Sequence, residues 1–194
     1  MRIVVVLLAA TLSISLWPGT EAQAQAARTF REPGAGFRFT YPSDWPTVEG
    51  RIPELRAVIN TPGTANPGAC TVAVHAAPEF EGLVQAQLDW SINNHPWNKE
   101  DWAASLGDRF TDITVRDQSI VKMANRPVHL ATVVATDPAK PGTRTVQMVF
   151  LSRMPGQVWH MACGATGADD RTADAAFAAR RIDFLRILST FAWE

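Results

Sequence analysis

The sequence predicts an α+β fold in which one antiparallel sheet has helices packed on it. Two observations carry this expectation. Between residues 113 and 164, four segments alternate apolar and polar side chains, and short turns rich in Pro, Gly and Asn separate them. Strands joined so closely pair as antiparallel neighbours. Residues 82–94 and 172–190 instead carry apolar side chains at helical spacing. A sheet with one run of helices in its middle and another at its end closes most economically as layers around a shared core.

The first segment stands apart from the fold. Residues 1–26 open on Met1-Arg2, continue as a short apolar run from Ile3 to Leu12, and break at Pro18-Gly19. Ala22-Gln23-Ala24 and Ala24-Gln25-Ala26 then offer two overlapping small-x-small cleavage sites. A positive start, a short apolar run and such a site make a secretory signal peptide, removed after Ala24 or Ala26. The run falls short of the roughly 20 residues needed to cross a bilayer. Residues 27–194 are expected to form a single globular domain in the periplasm or outside the cell.

Within that domain, residues 27–36 are polar and Gly-rich and read as a leader. Phe37, Phe39 and Tyr41 alternate with Arg38 and Thr40 as a half-buried strand, and residues 42–46 turn it. Residues 55–61 form a further strand, and 62–68, with two Pro and two Gly, a loop. In the strand 70–75, Cys70, Val72 and Val74 share a face and His75 points away from it. Val84, Leu88 and Ile92 then set a helix with Trp90 near its stripe, stopped by His95-Pro96. Asn98 with Asp101 three residues on caps a short second helix that carries Trp102 and Leu106 and ends at Gly107. In the last meander strand, Trp159, Met161 and Cys163 face one way and His160 the other. The closing helix presents Phe177, Phe184, Leu185, Leu188 and Phe191, with Asp169 and Asp170 at its positive end.

The chain has 18 basic and 19 acidic residues. Removing the leader takes one of each, Arg2 and Glu21, so the net charge stays at −1. That balance excludes nucleic-acid binding by bulk electrostatics and leaves no basic run for a membrane surface. Cys70 and Cys163 are the two cysteines. In an exported chain an even number favours a disulfide, and the alternative is two buried free thiols. Without a C-x-x-C, a redox site is disfavoured.

The segment from Gly36 to Trp45, Gly-Phe-Arg-Phe-Thr-Tyr-Pro-Ser-Asp-Trp, is similar to the opening of the PsbP/Mog1-like superfamily, where an aromatic strand runs into Tyr-Pro-x-x-Trp. The ending Leu185-Arg186-Ile187-Leu188-Ser189-Thr190-Phe191 resembles that group's last helix. The resemblance extends in order over most of residues 27–194, and within that superfamily the chain resembles exported bacterial PsbP-like and DcrB-like proteins. It implies an α/β/α sandwich with a central antiparallel sheet. It also implies action by binding, since most members work that way, but fold likeness alone does not establish function.

The chain contains no G-x-S-x-G, H-E-x-x-H, phosphate-binding or dinucleotide motif. None of its four histidines has metal-ligand spacing, so no metal and no cofactor are expected. His75 and His160 could face each other across the sheet, on the side opposite the cysteines. The segment from Trp90 to Trp102 places three Trp among amides, His95 and charges, a mixture common at binding surfaces. Trp90 and Trp102 are expected in the core. Trp97, His95, His75 and His160 are the candidate binding surface, and no catalytic residue is assigned. The favoured reading is an exported accessory or binding protein of the cell envelope, holding an unknown protein or small ligand. The alternatives are an enzyme with a non-local site such as His75, His160 and Asp89, or a structural envelope protein.

Overall fold

The structure is a computed structural model, and it describes residues 26–32, 34, 36–49, 53–63 and 67–194. The expected export segment therefore lies outside the described residues, apart from Ala26.

Seven strands form the central sheet, in the order β3-β4-β5-β9-β8-β7-β6. They are β3 (Thr47–Glu49), β4 (Leu55–Asn60), β5 (Gly68–Ala76), β6 (Thr111–Met123), β7 (Arg126–Thr136), β8 (Arg144–Met154) and β9 (Gln157–Gly167). Every pairing is antiparallel. The meander expected between 113 and 164 supplies β6 to β9. Strand β7 alternates less cleanly than a half-exposed strand would, with Val128, His129, Ala131, Val133, Val134 and Ala135 all buried. Both of its faces are covered, which removes the polar-out half of the pattern.

Helix α3 (Asp170–Ser189) covers one face. Its first turn is capped reciprocally, with Thr172 N–H donating to Asp169 Oδ1 at 2.8 Å and Asp169 N–H to Thr172 Oγ1 at 3.0 Å. It packs chiefly on β9 and β8. Gly167 makes that approach feasible, because a Cβ there would lie 2.2 Å from the Ala173 nitrogen. On the same side sits a small sheet of β1 (Ala27–Glu32), β2 (Phe37–Pro42) and β10 (Ala192–Trp193), with β2 in the middle. Phe37, Trp159 and Phe191 stack beneath it, with ring centroids 5.0–5.6 Å apart. The cysteines belong to this core. Cys70 and Cys163 are directly paired in the β5–β9 register, fully buried, and joined in a disulfide.

Helices α1 (Gln85–Asn94) and α2 (Lys99–Leu106) cover the opposite face, α1 on β7 and β8 and α2 on β6. Trp102 and Leu106 bury against Val115, Ala131, Val133, Val149 and Leu151. Asn98 and Asp101 cap α2 reciprocally, as the spacing predicts. Arg153 of β8 fixes α1, donating to Ser91 Oγ at 2.8 Å while its carbonyl accepts from Gln85 Nε2 at 3.0 Å. Layers of helix, sheet and helix give the expected α/β/α sandwich.

Four expectations need correction. Residues 27–32 are not a leader but an edge strand, hidden from pattern reading because Phe30 is its one large apolar residue and most of its side chains are exposed. Trp90 is 59% exposed, not core, because it lies 200° around the helix from Leu88. Val84 precedes the first turn of α1 and is exposed. Leu185 is 44% exposed, since α3 turns Phe184, Ile187 and Leu188 inward.

Candidate functional site

The register of β5 and β9 sets the site. Cys70 opposite Cys163 places Ala73 opposite His160 and His75 opposite Val158. His75 and His160 are therefore diagonal neighbours on the α1–α2 face, opposite the disulfide. Their rings stack with centroids 5.0 Å apart and planes 23° from parallel. The structure thus brings together the two histidines that strand alternation placed on one face.

The loop after α2 brings a third group. Leu106 O accepts from the backbone N–H of both Arg109 and Phe110, folding the chain back towards the sheet. Arg109 then reaches both rings, Nη1 lying 3.0 Å from His160 Nε2 and Nη2 3.0 Å from His75 Nε2. A guanidinium can only donate, so both Nε2 atoms accept and the ring protons sit on Nδ1. Burial, then the Arg109 charge and His75, pushes the His160 imidazole down to about 3. Burial and Arg109 also lower His75, against a smaller opposing pull from Glu54. Both rings are consequently neutral at physiological pH.

This trio lies at one side of a cavity of about 390 Å³. Its lining comes from α2 and the loop after it on one side and from β5, β8 and β9 on the other. Trp97, Trp102, Leu106, Val149, Leu151 and Val158 give it an apolar wall, and Glu79, Ser105 and Asp108 contribute polar groups. Trp97 is half-buried, stacks on His129 at 5.1 Å and meets Trp102 edge to face at 5.1 Å. His129 is 1% exposed, and burial, then Arg153, pushes it down to about 4. The Trp97 corner is therefore an aromatic stack of Trp97, Trp102 and His129.

The other proposed residues fall elsewhere. His95 is exposed at the end of α1, edge-on to Trp90 at 5.7 Å. Asp89 accepts from Gln85 Nε2 at 2.7 Å within its own helix and does not line the cavity. Ser105 donates to the Trp102 carbonyl at 3.0 Å. No acid–histidine–nucleophile relay is assembled among these residues. Among the described residues, no group of three or more His, Cys, Asp or Glu side chains could hold a metal ion. No helix among them is long and apolar enough to cross a membrane. Sequence reading missed Arg109 and His129. Arg109 sits in the four-residue loop between α2 and β6, which has no pattern, and His129 looks like any alternating strand position.

No family model matches the chain, and no curated protein does. Solved structures do. The solution structure of cyanobacterial PsbP (CyanoP) from Synechocystis sp. PCC 6803 superposes with a TM-score of 0.53 at 11% identity, over 92% of this chain and 99% of that one. A Bacteroides thetaiotaomicron protein gives 0.47 at 13% identity, over 88% of this chain and 49% of that one. LpqN, involved in cell envelope biogenesis of Mycobacterium tuberculosis, gives 0.41 at 14% identity, over 88% and 86%. These last two likenesses are too distant to carry an argument. The CyanoP likeness spans nearly the whole of both chains and, with the layered antiparallel sheet, shows that this chain has the PsbP/Mog1-like α+β fold.

Proposed function

We propose that this is an exported, non-catalytic binding protein of the cell envelope, and that the cavity beside Arg109, His75 and His160 is where it holds a ligand. The observation that carries the reading is the cavity itself. Its volume of about 390 Å³ is within the range of small-molecule sites, roughly 300–1,000 Å³. It combines an apolar aromatic wall with a few convergent polar groups, the usual composition of such sites. The polar groups are held by the sheet register and by mutual hydrogen bonds, so they are in place before a ligand arrives. The signal-like segment 1–26 and the buried disulfide support export, because disulfides persist in oxidising compartments. Catalysis is disfavoured because both imidazole lone pairs at the site already accept from Arg109 and Ser105 donates elsewhere.

Expressing the full chain in bacteria and fractionating the cells tests export. The expected product is extracytoplasmic, oxidised, and begins at Gln25 or Ala27. A reduced, full-length cytoplasmic product would overturn it. Denaturing the natively purified protein and analysing the released small molecules by mass spectrometry tests binding. A compound should be released from the wild type and be depleted in Trp97→Ala. Equal amounts from both, or none from either, would count against the cavity.

A further inference from the structure

We infer that the cavity takes a monocarboxylate with an apolar body, its carboxylate paired with Arg109 and its body laid against Trp97 and Trp102. This rests on the cavity being the ligand site and adds the chemical class of the ligand.

The state of Arg109 points to that class. Its two terminal nitrogens are anchored by two neutral acceptors. Among the described residues no carboxylate lies within ion-pair distance of it. Its guanidinium is therefore held in place with no carboxylate paired directly to it among the described residues. A guanidinium has five N–H donors, and the imidazoles take two. Three remain for a ligand, in a planar fork that matches a carboxylate. Most of the arginine's rotamer freedom is already lost to the imidazole contacts, so less is lost on binding.

The surroundings narrow the choice. Glu79 and Asp108 also line the cavity, so a second negative charge on the ligand would meet them. One anionic group suits the single guanidinium better than a phosphate dianion does. The apolar wall leaves a large part of the volume without hydrogen-bonding partners. A wholly polar anion would lose its hydration there without compensation. The volume also limits the occupant to a small molecule.

Titration of the purified, disulfide-intact protein with 4-phenylbutyrate, its neutral amide 4-phenylbutyramide and inorganic phosphate tests the class. Calorimetry gives affinities, and histidine and tryptophan side-chain NMR signals give location. The acid is expected to bind about tenfold tighter than the amide, the difference between a charge-assisted and a neutral hydrogen-bonded pair. Arg109→Gln should erase that preference. Arg109→Lys should keep part of it, which guards against a folding defect in the glutamine variant. Trp97→Ala should weaken acid and amide alike. Equal binding of acid and amide, tighter binding of phosphate, or an unchanged preference in Arg109→Gln would overturn the carboxylate. If the first result came with loss of both ligands in Trp97→Ala, the cavity would stand and only the ligand class would fall. If no probe bound and the native protein released nothing, both would fall.

Discussion

Moving the protein from pH 7 to pH 5 should destabilise it through histidines that fold in the neutral state. The unfolded chain protonates its imidazoles near 6.5, whereas the folded state holds His129 down at about 4 and His160 at about 3. The unfolded state therefore binds more protons below pH 6.5, and stability falls as the pH falls. Their contribution is fully present above pH 6.5 and is lost progressively down to about pH 4 for His129 and about 3 for His160. For a ring that stays neutral when folded, the loss between pH 7 and 5 is about 2 kcal/mol. Partial water access to His160 at the cavity edge reduces its share to about 1 kcal/mol. His75 moves in the same direction. Urea unfolding of wild type and His160→Gln at pH 7, 6 and 5 measures this. Glutamine can still accept from Arg109 but does not titrate. The variant should lose about 1 kcal/mol less than wild type on acidification. Parallel losses in the two proteins would refute the neutral, Arg109-bound state of His160.

Breaking the disulfide with Cys70→Ala and Cys163→Ala opens a cross-link 93 residues apart in sequence. It should reduce unfolding stability by about 3–5 kcal/mol, read as a lower urea midpoint, and an unchanged midpoint would contradict a structural role. Trp102→Ala should lose about 3–5 kcal/mol because Trp102 is 1% exposed, while Trp90→Ala should change thermal stability by less than about 1 kcal/mol. Gly167→Ala drives a methyl into the first turn of α3 and should destabilise by about 3 kcal/mol in the same assay, whereas a neutral effect would mean the helix is not seated there.

The parts of this fold that were legible in the sequence share a physical cause. Strands β6 to β9 are long, and β9 alternates strictly, so Trp159, Met161 and Cys163 could be assigned to one face and His160 to the other. Asn98 and Asp101 announce the start of α2 through local chemistry alone. What escaped depends on tertiary contacts. Strand β1 is mostly exposed, and Phe30 is its one side chain stacked on the aromatic residues of β2, so it carries no apolar period. Trp90 misled because an aromatic residue suggests burial, yet its place on the helical wheel is opposite Leu88 and Ile92. The candidate site was half visible. Alternation placed His75 and His160 on one face, but only the return of the chain after α2 brings Arg109 to them. No sequence spacing encodes that return.

The six described tryptophans make the most direct test of the binding claim. Trp97 and Trp102 line the cavity, Trp90 is exposed on α1, and Trp45, Trp159 and Trp193 belong to the opposite face. Assigned indole N–H signals, followed while 4-phenylbutyrate or a compound recovered from the native protein is added, report on every region at once. The expected result is saturable shifts of Trp97 and Trp102 while Trp45, Trp159 and Trp193 stay in place. Shifts confined to Trp90 or to the opposite face, with Trp97 and Trp102 unmoved, would contradict a binding site at Arg109, His75 and His160.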